Sequence, residues 1–291
     1  MQTITSFKQI RKIKDDRFEA DNIHDYSLLL NVGARDLQTA VIQDSRLLYL
    51  EDYIFPAVSS PEELLEALDE LLEQHAFLKA GFWKDIRVAF KNQKFVQVPE
   101  SLFDNDQSSA YLQFNAHFNT HIEEVHRLTM PRAEAVTVFA VYSILHDWLE
   151  QYYPKKQFQL LHQSAALIEG IIEYQKTRSD NPLYLYIDRF KFHIAYLDHN
   201  QLVYYNQFSI HSFQDYIKYI MMVMKTLNID QKKSQVVLWG YIGNNSPHYH
   251  EFYKYIQNVS FGNRPANLSY GFVFDEVQDH HYFDLYSISL L

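Results

Sequence analysis

Leu37-Gln38-Thr39-Ala40-Val41-Ile42-Gln43-Asp44-Ser45-Arg46-Leu47-Leu48-Tyr49 and Phe192-His193-Ile194-Ala195-Tyr196-Leu197-Asp198-His199-Asn200-Gln201-Leu202-Val203-Tyr204 are two copies of one pattern, 155 residues apart. Apolar positions fall on apolar positions without a gap, and the turn pair Asp44-Ser45 falls on His199-Asn200. An apolar run precedes each copy, Leu28 to Val32 and Leu183 to Ile187, and a helical pattern and a further strand follow it. A repeat of this length exceeds any solenoid unit, so it predicts two similar lobes.

Working outward, the first lobe reads as strand Tyr26 to Val32, a hairpin turning at Asp44-Ser45, a helix and a strand at Ile86 to Phe90. Ser59-Ser60-Pro61-Glu62 supplies an N-cap with proline in the first turn, and Leu64, Leu65, Leu68, Leu71 and Leu72 share one helical face. The second lobe repeats the order with strands Leu183 to Ile187, His193 to Leu197 and Leu202 to Phe208, a helix opened by His211-Ser212, and strand Ser234 to Trp239. Between them, Val136 to Val141 is apolar apart from Thr137, as a buried strand or a helix start would be. Tyr142 to Tyr153 has helical spacing ending before Pro154, Phe158 to Leu161 reads as a strand and Ala165 to Tyr174 as a helix. Strands alternating with helices indicate an α/β fold. The predicted division is residues 1–178, with a strand-and-helix insertion at about 100–155, and residues 179–291.

Composition narrows the function classes. At 291 residues and 47% hydrophobic, the chain has enough apolar material for two domains. Its 36 acidic residues outnumber 26 basic ones, and no Lys/Arg block is long enough to track a phosphate backbone, so nucleic acid is not the expected partner. Met1 to Arg17 is basic in places but lacks the apolar stretch of a secretory signal, and no later run reaches the about 18 apolar residues of a membrane span. With no cysteine there is no thiol chemistry, and a cytoplasmic location is expected. The 22 Tyr and 21 Phe sit at strand and helix positions, where large rings fill a core.

The duplicated strand, hairpin, helix, strand order resembles the actin-like ATPase superfamily, which includes actin, the Hsp70 chaperone ATPase domain, sugar kinases and bacterial scaffolds of cell division and pilus assembly. Phe158-Gln159-Leu160-Leu161-His162-Gln163-Ser164-Ala165-Ala166-Leu167-Ile168-Glu169-Gly170 looks like the superfamily's strand, Glu-Pro and Ala-Ala-Leu-Ala-Tyr-Gly segment. The whole chain is similar to an uncharacterised bacterial family of unknown function with that fold, whose recurring segment around Tyr204-Tyr205-Asn206-Gln207-Phe208 and Asp215-Tyr216-Ile217-Lys218-Tyr219 is present. The resemblance implies a two-lobed, ribonuclease H-like α/β fold over about residues 26–260. It also implies ATP or ADP with Mg²⁺ in a cleft lined by Asn31, Gly33, Asp188, Phe190 and Gly240.

Each phosphate motif is half missing. Active members carry Asp-x-Gly at the end of the first strand of each lobe; here Asn31-Val32-Gly33 keeps the glycine, and Asp188-Arg189-Phe190 keeps the charge. The Gly-Gly of the adenosine loop corresponds to Gly240-Tyr241. The expected function is therefore a non-catalytic or nucleotide-sensing actin-like scaffold with a protein partner or further copies of itself, no catalytic residue and no resident cofactor. The alternative is a divergent ATP-dependent phosphotransferase or ATPase. His117 and His121 would suit zinc on a helix, with Glu124 and His126 near, but Tyr111 to Phe118 alternates like a strand and no metal site is assigned. His280-His281 reads as a surface pair.

Overall fold

A computed structural model describes residues 6–153, 158–189, 191–243 and 246–291. The chain forms two compact units: residues 1–166, 267–276 and 284–291 make unit 1, and residues 167–266 and 277–283 make unit 2. The expected division at 178/179 put the whole later part of the chain in the second lobe. The unit 1 core instead takes in Phe274, Leu285, Tyr286 and Ile288, all fully buried.

Unit 1 runs β1 (Lys8–Lys14), β2 (Ser27–Gly33), β3 (Asp36–Gln43), β4 (Arg46–Ile54), α1 (Pro61–Gln74), β5 (Asp85–Lys91), β6 (Phe95–Pro99), α2 (Ser108–Asn115), β7 (Glu123–Met130), β8 (Ala135–Tyr142), α3 (Ser143–Tyr152), β9 (Phe158–His162) and the first turn of α4 (Gln163–Gln175), the rest of which belongs to unit 2. Its main sheet has the order β1-β4-β3-β2-β5-β9. β2 is antiparallel to β3 and parallel to β5, which is the strand-hairpin-crossover plan expected. Ser60 caps α1 by accepting a hydrogen bond from the Glu63 N–H at 3.2 Å. Leu64, Ala67, Leu68, Leu71 and Leu72 are the residues α1 buries, at the spacing of a helix lying on a sheet. The insertion is a small sheet, β6-β8-β7, backed by α2.

Unit 2 runs β10 (Leu183–Ile187), β11 (Lys191–Asp198), β12 (Gln201–Ser209), α5 (Phe213–Thr226), β13 (Val236–Gly240), α6 (Pro247–Tyr255) and β14 (Val259–Phe261), in the sheet order β12-β11-β10-β13-β14. Two short elements then follow, β15 (Ser269–Tyr270) beside β4 and α7 (Phe283–Ser287). The duplication holds to the residue. β3 and β11 occupy equivalent positions, as do β4 and β12; the bulges at Val41/Ile42 and Tyr196/Leu197 coincide. Both turn residues have positive φ in each hairpin, Asp44 and Ser45 in one, His199 and Asn200 in the other. That is the primed turn whose twist matches paired strands.

Residues 111–118 are not a strand. Ser108–Asn115 forms α2, with Leu112 buried against Val136, Val138 and Ala140, while Phe114 is 92% exposed. The alternation of Leu112 and Phe114 was thus no sign of a buried face. β1 was not anticipated either, because its mostly exposed KQIRKIK buries Ile13 alone and joins the sheet through its backbone.

Candidate functional site

Asn31 and Gly33 belong to unit 1, Asp188 and Gly240 to unit 2, and Phe190 lies outside the described residues. Each pair is therefore placed within its own unit.

In unit 1, β2 carries Asn31 into a fully buried polar cluster. Its Nδ2 donates to Gln38 Oε1 at 3.0 Å and to Asp284 Oδ2 at 2.7 Å, and Gln163 Nε2 donates to the same Asp284 oxygen at 2.7 Å. All four side chains are 0% exposed. Two amides holding one enclosed carboxylate satisfy the rule that a buried charge is hydrogen-bonded. Asp284 is 253 residues from Asn31 along the chain, so no local pattern could have revealed it.

Gly33, two residues on, ends β2 under the side chain of Asp36. A Cβ there would stand 1.9 Å from Asp36 Oδ1, so glycine is required for this close approach. Asp36 in turn accepts a hydrogen bond from Lys91 Nζ at 2.6 Å, and both side chains are nearly inaccessible. The space that the resemblance reserves for a phosphate oxygen over the glycine holds one of the chain's own carboxylates, already neutralised by a lysine. Beside it, Val32, Val58, Pro61, Leu64, Phe90 and Leu145 wall a cavity of about 250 Å³ in unit 1.

In unit 2, the register of the duplication refines the motif. Asn31 faces Gln38 across β2 and β3, and the equivalent pair across β10 and β11 is Tyr186 and His193. The position matching Asn31 is thus Tyr186, and the one matching Gly33 is Asp188. Tyr186 is buried edge-on to His193, whose Nδ1 lies 2.8 Å from the Tyr205 hydroxyl. Asp188 is also buried, and its Oδ1 accepts the Arg189 N–H at 2.8 Å. Gly240, with φ +98°, pairs with Ile187, and a Cβ there would lie 2.0 Å from the Ile187 carbonyl oxygen. The Arg189 guanidinium stacks over the Tyr241 ring at 4.5 Å, so Asp188, Arg189, Gly240 and Tyr241 do come together.

Mg²⁺ takes carboxylate, water and phosphate oxygens in near-octahedral order. The first-strand position offers an amide in one unit and a phenol in the other, and Gly33 is covered.

His117 and His121 are both exposed, His117 beyond the end of α2. His280 is a core residue rather than a surface one, with Nε2 2.6 Å from the Ile242 carbonyl oxygen.

The family model described as "Protein of unknown function (DUF3822)" matches residues 15–259. The chain belongs to the DUF3822 family. No curated protein matches it in sequence. Among solved structures, a Bacteroides thetaiotaomicron VPI-5482 protein described as having an actin-like ATPase fold and unknown function superposes with a TM-score of 0.74, at 19% identity over 84% of this chain and 93% of that one. A PilM-PilN type IV pilus biogenesis complex superposes with a TM-score of 0.61, at 11% identity over 91% of this chain and 97% of that one. The fold of this DUF3822 member is the actin-like ATPase fold. Among its described residues no helix is long and apolar enough to cross a membrane.

Proposed function

We propose that the chain is a non-catalytic, actin-like scaffold that acts by holding a protein partner rather than by turning over ATP. One observation carries this reading: at the strand ends where active members place metal-positioning carboxylates, Asn31 and Tyr186 stand instead, both buried in side-chain contacts of their own units. Phosphoryl transfer depends almost wholly on positioned metal and donors, and removing one stabilising group costs about 10²–10³ in rate.

A PilM-PilN complex among structures of this fold gives the partner a precedent, and the apolar wall of the unit 1 cavity is a surface for it. The acidic balance, 36 residues against 26 basic, favours a protein over nucleic acid, and we place the chain in the cytoplasm.

The test is calorimetry of ATP and ADP with Mg²⁺ on the whole chain, run beside phosphate release. The expected result is no turnover above background. Binding of ADP without turnover selects the nucleotide-sensing form of the scaffold. Robust Mg²⁺-dependent turnover abolished by Asp188→Ala overturns the reading in favour of a divergent phosphotransferase or ATPase.

A further inference from the structure

Successive side chains of a strand point to opposite faces, so Glu124 and His126 of β7 share one face. β7 pairs antiparallel with β8, and α3 starts immediately after β8 ends. The first turn of α3 therefore passes back beside the start of β7 and brings His146 to the same place. His146 Nδ1 lies 2.8 Å from Glu124 Oε2, His126 Nε2 lies 3.6 Å from that oxygen, and the two imidazoles are 5.2 Å apart at 77°. One ligand atom from each of the three residues falls within 4.8 Å of the others.

We propose that Glu124, His126 and His146 form a binding site for a divalent transition-metal ion, with Zn²⁺ as its representative. Zn²⁺ bonds to imidazole nitrogen and carboxylate oxygen at about 2.0–2.2 Å, which separates ligand atoms of a tetrahedral ion by about 3.3 Å. The present spacing brackets that value, so closure needs side-chain adjustment and no movement of β7 or α3.

Three independent features point to an ion rather than to a simple ion pair. His126 Nε2 is buried and makes no hydrogen bond, although it faces the carboxylate. Buried polar atoms in native proteins rarely go without a partner, and a metal bond supplies one. Second, Glu150, one turn further along α3, stands 4.0 Å from His146 Nε2 while Nδ1 faces Glu124. A carboxylate hydrogen-bonded to the far nitrogen orients a metal-binding imidazole, and from 4.0 Å a rotation of the Glu150 side chain makes that bond. Third, Phe139 packs at 5.9 Å from the His126 ring and Phe158 at 5.8 Å from the His146 ring, so both rings are held from behind.

Two imidazoles and one carboxylate suit Zn²⁺, Ni²⁺ or Cu²⁺ and reject Mg²⁺ and Ca²⁺. The side chains remain 20% (His126), 23% (His146) and 41% (Glu124) exposed, so an ion can enter and its fourth position stays open to water.

The experiment is calorimetric titration of the chelator-treated whole chain with Zn²⁺, and with Mg²⁺ as control. One equivalent of Zn²⁺ should bind, and Mg²⁺ should not. His126→Ala and His146→Ala should each remove that equivalent, and Glu150→Gln should weaken it about tenfold. His117→Ala/His121→Ala should leave it unchanged. Should a histidine variant fail to fold by circular dichroism, Glu124→Gln, at the more exposed ligand, must still weaken binding at least tenfold. Absence of stoichiometric Zn²⁺ binding, or binding indifferent to Glu124, His126 and His146, overturns the site.

Discussion

Asn31 is the residue on which the actin-like resemblance and the structure pull hardest against each other. By sequence, Asn31→Asp looks like repair of a nucleotide motif. By geometry it replaces the donor that serves Gln38 and Asp284 with an acceptor, and sets two carboxylates side by side where every side chain is 0% exposed. One of the pair must then take up a proton or stay charged at high cost. The variant is expected to lose about 3 kcal/mol or more of unfolding free energy at pH 7, read by urea denaturation. The new carboxyl's folded pKa is raised above its unfolded value near 3.9, so the deficit should shrink as pH falls toward about 4. Asn31→Asp combined with Asp284→Asn restores one carboxylate among amides and should recover most of the loss. A single variant as stable as the parent would refute the buried cluster.

At the scale of elements, the hairpins were legible because their signals are local. Apolar runs mark the strands, and the turn pairs Asp44-Ser45 and His199-Asn200 fix the register to the residue. Ser60 and Ser212 likewise announced both long helices, the second through the Ser212 N–H donating to Asp215 at 2.9 Å. Contacts distant in sequence were not legible. Asp284 on Asn31, Lys91 on Asp36 and His146 beside Glu124 all depend on how elements pack, and the apolar alternation around Leu112 and Phe114 does not mark a buried strand face, since α2 leaves Phe114 exposed. Gly240 shows how tightly two elements are joined. Its φ of +98° and the Ile187 carbonyl oxygen, 2.0 Å from any Cβ, leave no room where β13 meets β10. Gly240→Ala is expected to cost about 3 kcal/mol or more, or to prevent soluble folding. Gly243→Ala, with nothing within 4 Å of its Cβ, should lower the midpoint of thermal unfolding little or not at all. Equal effects would show that crowding at Ile187 is not what selects glycine.

For the whole molecule, the membership of the two units matters more than their similarity. Unit 1 is completed by residues 267–276 and 284–291, which come after nearly all of unit 2 in the chain. Phe274, Leu285, Tyr286 and Ile288 are fully buried, and each contributes about 1.5–3 kcal/mol by leaving water. Together they rival the about 5–15 kcal/mol by which a typical domain is stable. A chain cut after residue 266 should therefore lose protection of β2 and β5 in hydrogen exchange, although every residue of both strands is present. Native-like protection of 27–91 in that fragment would show that the later segments are accessory.

The order in which the chain is made gives this interleaving a temporal meaning. As a nascent polypeptide emerges, β2 to β5 appear well before the carboxylate that closes their polar centre, since Asp284 is added 253 residues after Asn31. Until then Asn31, Gln38 and Gln163 face a gap that nothing local fills. At about 5–20 residues per second, the roughly 250 residues between Asn31 and Asp284 represent a delay of tens of seconds in which the first unit is unfinished. During that interval the half-built sheet exposes apolar surface and unpaired strand edges, and codon changes that slow translation of the intervening second unit would lengthen that exposure.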